Sequence, residues 1–282
     1  MNRNELVSVI IVTKNEEKHI RQCLESVFET AYQPKEVIMV DDSSDSTPKI
    51  AASFKEVRII RTPGSLGYSR NVGWRAAKGR FICFVDADIT LPKDYFERML
   101  PHFKGNVGIV GTRNKALRRG FFSDSDDLAL HLSKIQWIAE RGEPRSVPCG
   151  GTIYLRKVLQ DTGGFDDVMF GEDSRLCFKA RKAGYKIAYA LDVFNYHDFT
   201  TDFRQWKRQC MKGGAGGANN LYPISLILSP VRGIIFMVQG LVFTNERRTS
   251  LYLPVYYPLK WIFICWGTFK ERILKRQVKW VQ

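Results

Sequence analysis

An α/β fold with a mainly parallel central sheet, followed by a helical C-terminal region that meets a membrane, is the architecture this sequence predicts. Three observations predict it. Short apolar runs alternate with amphipathic stretches through the first 110 residues, polar and acidic clusters fall just past those runs, and two long apolar stretches and a basic tail close the chain. Strands that alternate with helices build a parallel sheet through right-handed crossovers, and ligands of such sheets bind outside the carboxyl ends of the strands.

Residues 7–12 are a β-branched apolar run and read as the first strand; residues 16–30 then place Ile20, Leu24, Val27 and Phe28 near helical spacing. The turn between them lacks G-x-G-x-x-G, so a dehydrogenase loses its main support. Residues 36–40 form the second strand, which runs into Asp41, Asp42, Ser43, Ser44, Asp45, Ser46 and Thr47, a polar loop whose end caps a helix through Phe54. A third strand covers 57–61, Pro63 and Gly64 break the chain, and 66–77 is loop and helix with Ser69, Arg70 and Asn71 at its start.

The fourth strand, 81–85, is apolar throughout, as expected of a strand buried on both faces, and it ends in Asp86 and Asp88. Two carboxylates one residue apart at such an end are hard oxygen donors that suit a divalent cation and its ligand. A helix over 92–102 and a strand over 107–111 follow. Residues 115–120 read as a solvated basic loop, and Asp124, Asp126 and Asp127 as the cap of a helix over 128–139. Glycines at 150, 151, 163 and 164 allow close backbone approach to a ligand. Glu172 and Asp173 open a helix that ends near Gly184, and a strand over 186–190 precedes His197.

The net charge of +14 is unevenly spread: residues 201–282 hold 13 Lys plus Arg against 3 Asp plus Glu, so +10 belongs to the C-terminal part. Nucleic-acid binding is set aside, because no recognised module accompanies the charge and nearly forty apolar residues would be stranded. Six cysteines without C-x-x-C read as reduced core residues, neither disulfide frame nor zinc site. The N-terminus enters a strand too early for a signal peptide, so the catalytic part is expected to face the cytoplasm.

Four segments in this order, VSVIIVTKNEE, VDDSSDST, GYSRNVGWRAAKGRFICFVDADITLP and GGFDDVMFGEDSRLCFKARKAGY, resemble the family 2 glycosyltransferases of GT-A (Rossmann-like) fold over residues 6–200. The resemblance implies an inverting transferase that takes its sugar from a nucleotide-sugar donor. It implies that Thr13, Asn15, Glu16, Asp42 and Arg70 line the nucleotide pocket. Asp86 contacts ribose or metal, Asp88 binds Mn²⁺ or Mg²⁺, and His197 is a late metal ligand. Asp173, beside Glu172, is placed as the general base, and Arg208 of the Q-x-x-R stretch as partner of the leaving diphosphate. The Trp that closes the Q-x-x-R-W motif of processive synthases is replaced by Gln209, which speaks against processive synthesis.

Residues 224–243 and 251–269 are each long enough to cross a bilayer, although Arg232 and Lys260 interrupt them and suggest a lipid phosphate. Lys270 and the tail, with Ile273, Leu274, Val278 and Val281 on one helical side, read as a membrane-surface segment. The expected organisation is a catalytic domain over 1–200, an interfacial connector over 201–220 and a hydrophobic membrane region with basic tail over 221–282. Among relatives with short C-terminal anchors the resemblance favours dolichyl-phosphate mannosyltransferases. That implies GDP-mannose as donor, a polyisoprenyl-phosphate or lipid-linked acceptor, membrane lipids as partners and no nucleic acid. A UDP-sugar-dependent polysaccharide synthase, a glucosyl or GlcNAc transferase, and an inactive nucleotide-binding scaffold are the alternatives.

Overall fold

The computed structural model describes residues 5–168, 171–216 and 222–279. The chain divides into two compact units, one of residues up to 115 together with 134–197, the other of 116–133 together with 198–282. The segment 116–133 thus groups with the C-terminal residues and not with the sheet that surrounds it in sequence.

The first unit is built on one sheet. Its parallel half consists of β1 (Val7–Thr13), β2 (Lys35–Asp41), β3 (Val57–Arg61) and β4 (Phe81–Asp86), linked by α1 (Ile20–Glu29), α2 (Thr47–Ala51) and α3 (Leu66–Ala76). Alternate residues of β1 serve opposite faces: Val9 and Ile11 pack with Leu24 and Val27 of α1, while Ile10 packs with Trp74 of α3. Both faces are therefore dry, which is why these strands read as unbroken apolar runs. Gly73 lets α3 approach β1, since a Cβ there would lie 2.4 Å from Ile10 Cγ2.

Beyond β4 come β5 (Ile89–Thr90), α4 (Tyr95–Met99), β6 (Val107–Ala116), α5 (Phe121–Arg141), β7 (Ile153–Leu155), α6 (Arg156–Thr162), α7 (Glu172–Lys182) and β8 (Lys186–His197). The strand order is β3-β2-β1-β4-β7-β6-β8-β5. β7 pairs antiparallel with both β4 and β6, and β5 antiparallel with β8, so the sheet is mixed where the sequence predicts a mainly parallel one. Parallel pairing needs a crossover that returns the chain to the same end. The three-residue β7 and two-residue β5 carry too little pattern to reveal their direction.

The second unit is helical: the first part of α5, then α8 (Phe203–Gly216), α9 (Tyr222–Phe243), α10 (Arg247–Ser250) and α11 (Leu253–Lys279). Helix α5 starts earlier than its acids suggest, because Phe122 stacks on Trp206 at 4.6 Å and draws the first turn inward. Asp126 consequently sits inside the helix, not at its cap. It accepts from Trp206 Nε1 at 2.9 Å, Lys260 Nζ at 2.6 Å and the Tyr256 hydroxyl. Lys260 therefore has a protein partner in the middle of its apolar stretch, and the lipid phosphate expected there is not needed.

Among the described residues no helix is long and apolar enough to cross a membrane, so the crossing-length reading of 224–243 and 251–269 finds no support. The apolar side expected of Ile273, Leu274, Val278 and Val281 lies outside the described side chains. The arginines of the 115–120 loop are exposed, as the solvated reading expects, and each also meets a carboxylate, Arg118 with Asp198 at 2.5 Å and Arg119 with Asp124 at 3.0 Å.

Candidate active site

The parallel strands end together, and their ends hold most of the chemistry. Past β1 and β2 the side chains fall into two groups. Asp41 is buried and fully committed: Thr13 Oγ1 and Ser43 Oγ each donate to it at 2.6 Å, and Arg61 bonds its other oxygen. Asn15 takes a left-handed φ of 61°, which Asn tolerates better than most residues, and its Oδ1 accepts from Ser44 N at 2.9 Å. Thr13 and Asn15 thus hold the loop after β2 in place. Asp42, next to the latch, keeps a partly exposed carboxylate that Lys14 Nζ meets at 2.7 Å.

The carboxylates past β4 form the second group. The β5–β8 pairing sets Ile89 opposite His197 and so brings His197 Nε2 to 3.3 Å from Asp88 Oδ1. Burial pushes the Asp88 carboxyl up, but the hydrogen bond and charge of His197 more than offset it and hold it below the usual range. For Asp86 burial wins over the Arg70 guanidinium, and its pKa is raised. Glu16 lies near both aspartates; burial raises it, and repulsion from Asp88 and Asp86 adds to that against the pull of His19, whose Nδ1 is 2.9 Å from Glu16 Oε2. The Gly150 backbone backs onto this group, since a Cβ there would lie 2.4 Å from Asp86 Oδ2.

Arg70, only 4% exposed, joins these acids to helix α7. Its Nη2 donates to Asp86 Oδ1 at 3.3 Å, its Nη1 to Glu172 Oε1, and its guanidinium lies over the Phe165 ring at 5.7 Å. Burial alone would lower the Arg70 pKa; the charged groups around it, the Asp86 and Glu172 carboxylates among them, reverse that and keep it charged. Asn71 clamps the adjoining loop, donating to Phe165 O at 2.8 Å and accepting from Phe165 N at 2.9 Å. Asp173, one residue past Glu172, accepts from Ser174 N at 2.5 Å in the first turn of α7 and remains partly exposed. Near it lies Lys134, whose pKa burial lowers while Asp173 pulls it back up.

The structure of the first unit therefore brings Glu16, Arg70, Asp86, Asp88, Glu172 and His197 into one connected set. Arg208 lies on α8 of the second unit, exposed, with its Nε on Arg204 O at 3.3 Å. The sequence reading missed His19, although its i+3 spacing from Glu16 was a signal. It also missed Lys134, for which no local pattern pointed to Asp173, 39 positions further along the chain.

Among the described residues no three His, Cys, Asp or Glu side chains form a ready cage for a metal ion. The donor set at Asp86 and Asp88 fits a hard cation in another way. Mg²⁺-like ions commonly take one or two carboxylates and complete their shell with water and substrate phosphates.

The glycosyl transferase family 2 profile matches residues 8–163. A pre-mycofactocin glycosyltransferase of Mycobacterium tuberculosis is 28% identical over 224 residues, covering 74% of this chain and 46% of that protein. The probable glycosyltransferase YdaM of Bacillus subtilis is 27% identical over 243 residues, covering 76% and 56%. The chain spans about half the length of these curated relatives. Among solved structures, mannosyltransferase PcManGT from Pyrobaculum calidifontis, in complex with GDP-Man and Mn²⁺, superposes with a TM-score of 0.59 at 18% identity, over 94% of this chain and 74% of that one.

Proposed function

The chain belongs to glycosyl transferase family 2, with a GT-A-like fold and a mixed sheet, and from that premise we propose a single inverting transfer of a hexose from a nucleotide sugar. The finer reading is mannose from GDP-mannose, delivered to a polyisoprenyl-phosphate or lipid-linked acceptor at the cytoplasmic face of the cell membrane. GDP-mannose is the donor to test first because the fold neighbour from Pyrobaculum is a complex with GDP-Man and Mn²⁺.

The observation that carries the proposal is the Arg70 bridge. One buried guanidinium holds Asp86, past the central strand, and Glu172, at the opening of the helix that bears Asp173. A donor-binding carboxylate pair and a proton acceptor must keep fixed geometry for a displacement to be fast, and the bridge supplies that rigidity. With its carboxylate engaged by Arg70, Glu172 positions its neighbours. Asp173, partly exposed, takes the proton as an acceptor hydroxyl attacks the anomeric carbon and the nucleoside diphosphate leaves with the bonding electrons. Toward a phosphate acceptor, already ionised, Asp173 orients without deprotonating. Asp42 and Glu16 present carboxylates to base and ribose, and Thr13 and Asn15 act through the loop they hold. A bound Mn²⁺ or Mg²⁺, held by Asp86 and Asp88 beside His197, would neutralise the diphosphate charge.

The test is calorimetric titration of the purified protein with GDP, UDP and GDP-mannose, in Mn²⁺ and in EDTA. GDP binding that EDTA removes, and that Asp88→Ala also removes, is the expected result. A preference for UDP would overturn the mannose donor, and absence of any nucleotide binding would overturn the transferase reading itself.

A further inference from the structure

In the second unit the apolar residues of α9 and α11 serve two opposite faces. On α9, Ser229, Gly233, Phe236 and Gly240 recur every three or four residues and turn inward, Gly233 so closely that a Cβ would lie 2.7 Å from Leu253 O. Ile227, Val231, Ile234, Val238 and Val242 recur on the other side and are 49–75% exposed. At 1.5 Å per residue that stripe runs about 22 Å. Helix α11 repeats the pattern: Tyr256 and Tyr257 are buried, whereas Val255, Ile262, Trp266 and Phe269 are 49–63% exposed. A soluble surface scatters single apolar side chains; continuous stripes of this length mark a surface that meets an apolar partner.

Charge identifies the partner. Between residues 222 and 270 the one acidic residue is Glu246, which faces Arg119 at 3.5 Å. Five basic residues share the same stretch; Lys260 is paired internally with Asp126, and Arg248 Nε donates to the Tyr252 hydroxyl at 2.9 Å. Arg232, Arg247, Arg248 and Lys270 are exposed. An apolar stripe with an excess of cations around it fits an anionic lipid surface. It does not fit a second copy of itself, because pairing two such faces would set like charges against each other.

We infer that α9 and α11 lie along an anionic membrane surface, their stripes at the acyl boundary and Arg232, Arg247, Arg248 and Lys270 at the headgroups. The helices lie along the surface because their other faces are already packed within the unit. The inference shares with the proposed function only its membrane location and is independent of donor and sugar.

The test is flotation of the full chain with phosphatidylcholine vesicles, with and without phosphatidylglycerol, at low and high salt. Binding that requires phosphatidylglycerol and weakens with salt is expected. Val231→Asp with Val238→Asp should reduce the bound fraction at least about tenfold, because an apolar stripe drives interfacial binding. Arg247→Glu with Arg248→Glu should remove the preference for anionic vesicles. GDP titration and a thermal melt of each variant report separately that the protein is folded and that the nucleotide site survives. Failure of the folded wild-type protein to float, or flotation unchanged in the Asp variant, overturns the inference while leaving the transferase reading standing. So does sedimentation showing a dimer that the Asp variant dissociates.

Discussion

Asp86 in the first unit and Asp126 in the second both face a cation, but their surroundings differ in charge balance. Asp126 meets Lys260 and fills its remaining acceptor capacity with the Trp206 indole and the Tyr256 hydroxyl. One carboxylate answers one ammonium, and no charge is left over. Around Asp86, the carboxylates of Glu16, Asp88 and Glu172 gather with it about a single permanent cation, Arg70, helped by His19 and His197. The Asp86 side chain also keeps 40% of its surface open. A balanced cluster gains nothing from a further ligand, whereas an excess of negative charge with an open side gains from a cation that brings its own phosphates. The difference teaches that an ion pair by itself marks neither structure nor function; the residual charge and its access to solvent do.

The comparison is broken most severely at Arg70. Arg70→Met leaves the Asp86 and Glu172 carboxylates without their cation, and urea unfolding should show a loss of about 3–5 kcal/mol, as for a broken buried pair. Arg70→Lys keeps the charge without the fork that reaches both acids, so it should recover only part of that loss. A Met variant as stable as wild type would make the bridge incidental.

Asp126→Asn should cost less, about 1–3 kcal/mol, since it weakens bonds to Lys260 and Tyr256 without emptying the space. Nucleotide affinity should stay within about twofold, because the two sites share no partners. The pair Asp126→Leu with Lys260→Met should restore most of the stability, as apolar replacement of a balanced pair does. A large loss of nucleotide affinity in Asp126→Asn would erase the distinction between the two acids.

The smallest effect is on pH dependence, read from thermal melts across the acid range. Asp88 is held below its ordinary value, so its contribution is present above the unfolded pKa of 3.8 and disappears as pH falls through the depressed folded value. Glu16 has the opposite sign: its folded pKa is raised, so its contribution is present below the unfolded value of 4.5 and is lost as pH rises through the folded one. Asp88→Asn should therefore flatten the acid limb, while Glu16→Gln should add stability near neutral pH. Identical pH profiles for both variants and wild type would show that neither carboxylate feels its neighbours.

Much of the fold and part of the site are legible in the amino-acid sequence. The unbroken apolar runs of β1 to β4 announce strands covered on both sides, and their polar ends announce where a ligand would meet the sheet. Which acid of each pair faces outward is not legible. Asp41 and Asp42 are neighbours in sequence, yet one is a latch under Thr13, Ser43 and Arg61 and the other is open. The mixed half of the sheet is equally hidden, because β5 and β7 are too short to carry a period.

What the sequence determined by itself is local: the periodicity of strands and helices, the residue types at their ends and the basic excess of the C-terminal part all follow from neighbours within a turn or a strand. What only the tertiary structure decided is partnership across distance. Arg70 meets Glu172 over 102 positions, and Lys260 meets Asp126 over 134. Electrostatic energy depends on separation in space, and no local pattern encodes a separation that the packing of the whole unit sets.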